Sequence, residues 1–241
     1  LKYLEVDSIE KINDKNMIIT LRPETEADCT CQFTPGQYMN LQVPGKQWNA
    51  RAYSIGSAPR PDGSFEVDLR RVEGGRFTTW TFEQMKPGDS LIGIGPMGHF
   101  WLKSPPDKPL LFIARGTGCA PIKAMIEQQM EFEPQRKIVL FWGVTDTSDF
   151  FRLEKLEEWM QKDSNMSIVL SARNISEVFK PPAKIIFIQG TVYDTLRENH
   201  SDFHDWHVYL AVLTKTVRAV LDVLQEKDIP EQNIFVDAFG G

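Results

Sequence analysis

A short segment of the chain carries three side chains of different chemistry: Arg51, Tyr53 and Ser54. A guanidinium presents a rigid fork of donors that matches a phosphate or pyrophosphate, and an aromatic ring can lie flat against a planar ligand. The hydroxyl of Ser54 can hydrogen-bond to the edge of such a ring. In an extended strand Arg51 and Tyr53 point to the same face, because side chains alternate with a period of two. The segment therefore suits a phosphate-bearing molecule with flat rings, although strands without a ligand carry the same residue types.

Two glycine-containing segments further along the chain have the features of anion sites. Gly74-Gly75-Arg76 precedes a predicted short helix, so its backbone N–H groups and the Thr78 hydroxyl are available to an anion at the helix N-terminus. Gly116-Thr117-Gly118 follows an apolar strand run and opens a helix, and Pro121 suits the first helical turn. Glycines at such positions let a backbone approach a pyrophosphate, although a glycine turn that merely caps a helix is the ordinary alternative.

Composition and charge narrow the class of protein. A chain of 241 residues is long enough for two domains of ordinary size, each with its own core. Its 41% hydrophobic and 25% charged content is that of a soluble globular protein. The net charge of −6 argues against nucleic acid or an anionic membrane as a partner. Since no apolar run approaches the length of a membrane span and no charged-then-apolar leader opens the chain, we expect no membrane partner.

The cysteines and histidines predict a reducing compartment and no bound metal. Cys29, Cys31 and Cys119 cannot form a disulfide framework, and they supply fewer thiolates than an iron–sulfur cluster usually needs. The Cys29-x-Cys31 spacing is one residue short of C-x-x-C, which indicates two small residues in a strand. Three histidines between residues 200 and 207 lie in a polar, solvated connection. We therefore predict a cytoplasmic protein, in which any cluster would belong to a missing segment or to another protein.

The sequence pattern changes at residues 104–107, Ser-Pro-Pro-Asp, where we place a domain boundary. Residues 1–104 contain short strands separated by turn residues, which predicts an antiparallel β-barrel with one short helix over residues 77–85. Residues 105–241 alternate apolar strand runs with helical segments, which predicts a doubly wound parallel α/β sheet. The predicted strands of this second half cover residues 110–114, 138–142, 168–170, 185–188, 208–211 and 234–236, and its helices residues 121–131, 153–162, 192–198 and 216–227.

In their order and spacing the motifs resemble those of the ferredoxin–NADP reductase family of flavoproteins, over nearly the whole chain. The resemblance rests on Phe33-Thr34-Pro35-Gly36-Gln37-Tyr38, Arg51-Ala52-Tyr53-Ser54, Gly74-Gly75-Arg76-Phe77-Thr78, Gly95-Pro96-Met97-Gly98 and Gly116-Thr117-Gly118-Cys119-Ala120-Pro121. It implies hydride transfer from NADH or NADPH to FAD, with FMN less expected. Electrons would then leave singly to a ferredoxin-type iron–sulfur protein or domain, or to an oxygenase component.

The resemblance also implies roles for individual residues. Arg51 would contact the FAD pyrophosphate, Tyr53 would stack on the isoalloxazine, and Ser54 would lie near the flavin nitrogen that accepts hydride, so Tyr53 and Ser54 are the candidate catalytic residues. Thr117 would lie close to the nicotinamide, and Phe239 would either cover the flavin or pack the last strand. The predicted cofactor-binding residues are Arg51, Ala52, Tyr53, Ser54, Leu69, Gly75, Arg76, Thr78, Gly116, Thr117, Gly118, Cys119, Pro121, Gly143 and Phe239.

The chain departs from the family pattern at three places. Thr145 stands where relatives usually carry an arginine. Ala172 interrupts a Ser and Arg pair that many NADPH users place on the 2′-phosphate, so the choice between NADH and NADPH stays open. Ala211 and Val212 replace the Cys-Gly of the family, and Val212 adds bulk where only hydrogen is expected. The alternative function is therefore a flavin-binding regulatory or electron-transfer subunit with weak or lost NAD(P)H oxidation.

Overall fold

The computed structural model describes residues 2–25, 32–133 and 135–240, so the Cys29-x-Cys31 pair lies outside the described residues. The described residues form two compact units. The first contains the residues up to Leu102 together with Lys123–Gln128, and the second contains Lys103–Ile122 and the residues from Gln129 onward. Each unit has its own six-stranded sheet.

The first unit is built on an antiparallel sheet, as predicted. Its elements are β1 (Lys2–Lys11), β2 (Asn16–Pro23), β3 (Tyr38–Gln42), β4 (Arg51–Ser54), β5 (Phe65–Arg70), α1 (Arg76–Glu83) and β6 (Ser90–Met97). The strands lie in the order β4-β3-β6-β1-β2-β5, and all their pairings are antiparallel. A bridge between Ile55 and Val67 links the two edges of the sheet, which therefore curls on itself in the manner of a barrel.

The core of the first unit follows from the alternation of its strands. In β3 the inward-facing Met39 and Leu41 are fully buried while their neighbours are half-buried, and Phe77 of α1 packs into the same core. The sequence did not predict β6, because glycine and proline are poor strand formers. The structure shows why a glycine stands within this strand: a Cβ on Gly93 would lie 2.6 Å from the Leu4 side chain of β1.

The second unit has the parallel, doubly wound sheet that the sequence predicts, in the order β10-β9-β8-β7-β11-β12. Its strands are β7 (Leu110–Arg115), β8 (Ile138–Asp146), β9 (Met166–Asn174), β10 (Ile186–Gln189), β11 (His207–Leu213) and β12 (Ile234–Phe239). The helices are α2 (Cys119–Phe132), α3 (Leu153–Lys162), α4 (Val192–Glu198) and α5 (Thr214–Glu226). The chain builds outward from β7 first on one side and then on the other, so its switch point lies between β7 and β11, where sheets of this kind bind ligands.

The helices of the second unit bury their apolar faces against the sheet. Val192 and Leu196 of α4 and Val220 and Leu224 of α5 belong to one buried cluster that also contains Leu210 of β11. The helices α3 and α4 begin and end where the sequence predicts, because their apolar residues recur with helical spacing. Within the described ranges, no helix is both long enough and apolar enough to span a lipid bilayer.

Candidate functional site

The edge strand β4 presents Arg51 and Tyr53 on one face, as the alternation of the strand requires. The positive charge of Arg51 lowers the pKa of the Tyr53 phenol, while burial, the larger effect, raises that pKa well above its usual value. Arg51 is exposed, and its Nη1 donates to the carbonyl oxygens of Asn49 and Ala50 at 3.3 Å each.

Tyr53 joins β4 to the helix α1. Its ring centroid lies 5.4 Å from that of Phe77, with the two rings tilted by 35°. Phe77 is buried in the core of the first unit, and Tyr53 packs against the same core. This aromatic contact links β4 to the N-terminal turn of α1, the two segments that the sequence analysis assigns to one phosphate-bearing ligand.

Hydrogen bonds of the Thr78 hydroxyl hold the loop before α1 together. The Thr78 hydroxyl accepts from the backbone N–H of Val72 at 3.1 Å and lies within donating distance of the Val72 carbonyl oxygen at 3.2 Å. The N–H of Gly75 donates to the same carbonyl at 2.9 Å, and Gly74 has a φ of +69° that suits glycine. Thr78 is thus buried, and its hydroxyl is used in hydrogen bonds that shape the loop. A direct contact of this hydroxyl with an anion stays a prediction.

Arg51 and the loop before α1 line a cavity of about 310 Å³. Two guanidinium groups, those of Arg51 and Arg76, belong to the lining, and α1 has no acidic residue in its first turn. The N-terminus of a helix adds N–H donors and a positive partial charge, so this end of the cavity suits a pyrophosphate. The remaining lining residues are Gln47, Trp48, Asn49, Gly74, Gly75 and Phe77. Sequence reasoning missed residues 47–49, whose only signal is the tryptophan shortly before Arg51.

Three further residues of the first unit are predicted to bind the flavin, and they are Ser54, Ala52 and Leu69. Ser54 is half-buried on β4 opposite Tyr38 of β3, and Ala52 is exposed and alternates with Arg51 and Tyr53. Leu69 is fully buried in the core, so its side chain does not face the cavity. Roles of these three residues in binding a flavin stay predictions.

The glycine turn of the second unit lies at the carboxyl end of β7, at the switch point of the sheet. Gly116 has a φ of +56°, and a Cβ there would have open space around it. Gly118 has none: a Cβ would lie 2.2 Å from the carbonyl oxygen of Ala211 and 2.7 Å from the ring of Phe239. The ends of β7, β11 and β12 thus meet at Gly118, and the ring of Phe239 packs against the turn.

Three further predicted residues of the second unit are buried. Cys119 and Pro121 lie in the first turn of α2. Gly143 lies on β8, where a Cβ would come within 2.7 Å of Val192 and 3.0 Å of the Ser171 hydroxyl oxygen, so it lets α4 approach the sheet. These positions support the shape of the turn, and contact with a nucleotide stays a prediction for each.

The bulk of Val212 is accommodated inside the second unit. Its side chain is fully buried in the core cluster that contains Val220 and Leu224 of α5. Its neighbour Ala211 pairs with Asp237 of β12, and burial raises the pKa of the Asp237 carboxyl. The Val212 side chain is therefore part of the core of the second unit.

Ser171 and Arg173 are the residues that would bind the 2′-phosphate of NADPH. Ser171 is buried, whereas the exposed Arg173 donates from Nη2 to the Tyr193 hydroxyl at 3.3 Å. This arrangement does not decide between NADH and NADPH.

No cluster of three or more His, Cys, Asp or Glu side chains suited to a metal ion occurs among residues 2–25, 32–133 and 135–240.

The two halves of the chain match two known domain families. Residues 3–101 match the family described as the oxidoreductase FAD-binding domain, and residues 112–220 match the oxidoreductase NAD-binding domain. The cavity beside Arg51 lies in the first match and the glycine turn in the second. The chemistry of the cavity lining, with two guanidinium groups beside a helix N-terminus, fits the pyrophosphate of FAD.

Individual proteins with similar sequences are reductases and electron-transfer components. The chain is 28% identical over 235 residues to the CDP-6-deoxy-L-threo-D-glycero-4-hexulose-3-dehydrase reductase of Yersinia pestis. This alignment covers 98% of this chain and 68% of that protein. It is 31% identical over 207 residues to the toluate 1,2-dioxygenase electron transfer component of Pseudomonas putida, covering 86% of this chain and 59% of that protein. The chain thus spans only part of each relative.

The fold is also that of a solved reductase. The crystal structure of a cytochrome P450 reductase from Amycolatopsis superposes with a TM-score of 0.86 at 25% sequence identity. The superposition covers 99% of this chain and 69% of that one. The similarity therefore extends over both units.

Proposed function

Because the chain belongs to the ferredoxin–NADP reductase family of flavoproteins, we propose that it passes a hydride from NADH or NADPH to bound FAD and sends electrons singly to a ferredoxin-type iron–sulfur centre or an oxygenase component. The chain is an oxidoreductase with an FAD-binding and an NAD-binding domain. When bound, FAD supplies the conversion between two-electron and one-electron chemistry, while the protein supplies binding, orientation and electrostatics.

The observation that carries the proposal is the positively charged cavity in the FAD-binding domain. Arg51 and Arg76 would hold the pyrophosphate together with the backbone N–H groups at the start of α1. Tyr53, which is fixed by Phe77, would face the isoalloxazine, and Ser54 would lie near its reactive nitrogen. Each of these assignments is a proposal supported by where the side chains stand on β4 and α1.

The glycine turn at the end of β7 supports the nucleotide half of the proposal. Backbone N–H groups of a turn that opens a helix bind phosphates, and Gly118 sits where no side chain fits. We accordingly propose residues 1–104 as the FAD-binding domain and residues 105–241 as the NAD(P)H-binding domain. Thr117 would lie nearest the nicotinamide.

The electron acceptor is proposed from the relatives. One of them is the electron transfer component of a dioxygenase, and this chain spans 59% of its length. The acceptor is therefore either an iron–sulfur domain on a further part of the polypeptide or a separate protein. We propose a cytoplasmic location, because three cysteines in 241 residues suit a reducing compartment.

The test is the visible spectrum of the purified protein under anaerobic conditions, before and after addition of NADH and then NADPH. We expect flavin absorbance that bleaches promptly with one of the two nucleotides, followed by reduction of an added [2Fe–2S] ferredoxin. Absence of flavin even after incubation with FAD would overturn the proposal. Flavin absorbance that persists with both nucleotides would overturn its reductase half and support a flavin-binding subunit instead.

A further inference from the structure

Trp142 makes a side-chain hydrogen bond to the backbone of the Gly116–Gly118 turn. Its indole Nε1 donates to the carbonyl oxygen of Gly116 at 3.0 Å. Trp142 lies on β8, paired with Ala114 of β7, so the strand next to the turn supplies the donor. A buried indole N–H needs an acceptor, and here the acceptor is the residue with positive φ at the start of the turn.

The Gly116 carbonyl is fixed from two directions. Besides the indole, it accepts the backbone N–H of Cys119, which closes the turn. In a trans peptide the carbonyl and the following N–H point in opposite directions. Holding the Gly116 carbonyl against Trp142 therefore turns the N–H of Thr117 away from β8. That N–H belongs to the set of donors that a phosphate would need.

Trp142 itself has little freedom to move. It is 1% exposed, and the rings of Phe150 and Phe151 meet it edge-on, with centroids 5.0 and 4.9 Å away. Edge-to-face contacts of this kind fix the orientation of a ring as well as its position. The indole is thus a rigid donor, whereas the space around the Cα of Gly116 is open.

We propose that Trp142 is a positioning residue that sets the peptide plane between Gly116 and Thr117 for the phosphates of the pyridine nucleotide. The inference rests on the proposed function, because it takes the turn to be the nucleotide site. It adds a residue that acts through the backbone and does not touch the ligand. Without the indole N–H the turn would keep its glycines but lose the orientation of its donor.

The test compares Trp142→Phe with Trp159→Phe in the full chain loaded with FAD. Trp159 is a buried tryptophan of α3 in the same unit, so its replacement removes a similar amount of packing without reaching the turn. Isothermal titration with NAD⁺ and NADP⁺ gives the dissociation constant for the nucleotide that the wild type binds. We expect Trp142→Phe to raise that constant about 3- to 10-fold, the effect of one lost hydrogen bond, and Trp159→Phe to leave it unchanged.

A second readout needs no nucleotide. Amide hydrogen exchange across residues 114–122 is expected to become faster in Trp142→Phe but not in Trp159→Phe, because only the first variant frees the Gly116 carbonyl. Replacement of Trp142 by 3-benzothienylalanine, which keeps the shape and removes the N–H, should reproduce the Phe variant. Equal affinity and equal exchange in wild type and Trp142→Phe, or equal losses in both Phe variants, would overturn the inference alone. A wild type whose flavin is reduced by neither NADH nor NADPH would instead overturn the proposed function, and the inference with it.

Discussion

The two candidate sites, one in each unit, have different features that suit a phosphate. The cavity beside Arg51 is lined by charge: its guanidinium groups are exposed, and Gly74 has open space where a side chain would be. The turn after β7 relies on shape: Gly118 is enclosed by the Ala211 carbonyl and the Phe239 ring, and Gly116 is held by an indole. A charged side chain can adjust to its ligand, whereas a crowded backbone must already have the correct conformation.

This difference predicts which kind of substitution should weaken phosphate binding at each site. The cavity should tolerate small steric changes but respond strongly to loss of positive charge. The turn should respond to a single added methyl group and much less to surface charge.

The largest effect is expected from Gly118→Ala. The new Cβ would lie 2.2 Å from a backbone oxygen, a distance that no side-chain rotation relieves, so the ends of β7 and β11 must separate. We expect a loss of stability of about 1–3 kcal/mol from overpacking and no measurable nucleotide binding. Thermal unfolding and titration with NAD⁺ and NADP⁺ measure the two effects, and FAD content should stay near the wild-type value.

Two alanine variants serve as matched controls for the crowding at Gly118. Gly116 and Gly74 have φ values of +56° and +69°, and neither has an atom within 4 Å of an added Cβ. Gly116→Ala and Gly74→Ala should therefore cost the fold backbone strain of about 1–2 kcal/mol but no overpacking. If Gly118→Ala binds nucleotide as well as Gly116→Ala does, the turn is not limited by shape and the comparison fails.

Much of this contrast was visible in the sequence, because local patterns report local structure. The apolar period predicted α3 and α4 to the residue, and alternation placed Arg51 and Tyr53 on one face of β4. The glycines of both segments were recognisable because each segment directly precedes a predicted helix. These features depend on residues within one element or one turn.

What the sequence did not predict depends on contacts between distant segments. Trp48 lines the cavity together with the loop before α1, and Tyr53 packs on Phe77 of that helix. The side chain of Leu69, a predicted binding residue, is fully buried in the core, and its role in binding stays a prediction. The donor for Gly116 comes from Trp142, 26 residues away, and no local pattern announces such a pair.

The cavity is tested by Arg51→Gln, which keeps a polar side chain but removes the guanidinium and its charge. Hydrogen bonds to charged groups contribute about 1.5–3 kcal/mol, so we expect FAD to bind about 10- to 100-fold more weakly. Arg218→Gln is the control, since Arg218 is exposed on α5 and pairs only with Asp222 among the contacts described for it. Fluorescence titration of the apoprotein with FAD gives both constants. Equal affinity in both variants would remove Arg51 from the flavin site.

The smallest effect concerns Asp237, which lies beside Ala211 near the enclosed turn. Burial raises the pKa of this carboxyl in the folded protein above its ordinary value of 3.8. Between that value and the raised pKa, the folded state binds more protons than the unfolded state, so the free energy of unfolding falls as the pH rises through this interval. Above the raised pKa the loss is complete and constant.

Asp237→Asn removes this titration and should stabilise the protein slightly at neutral pH but not near pH 4. The measurement is the melting temperature of both proteins across this range, with the difference between them as the readout, because other carboxyls titrate in both. A flat difference for Asp237→Asn would mean that the enclosure seen at Gly118 does not extend along β12.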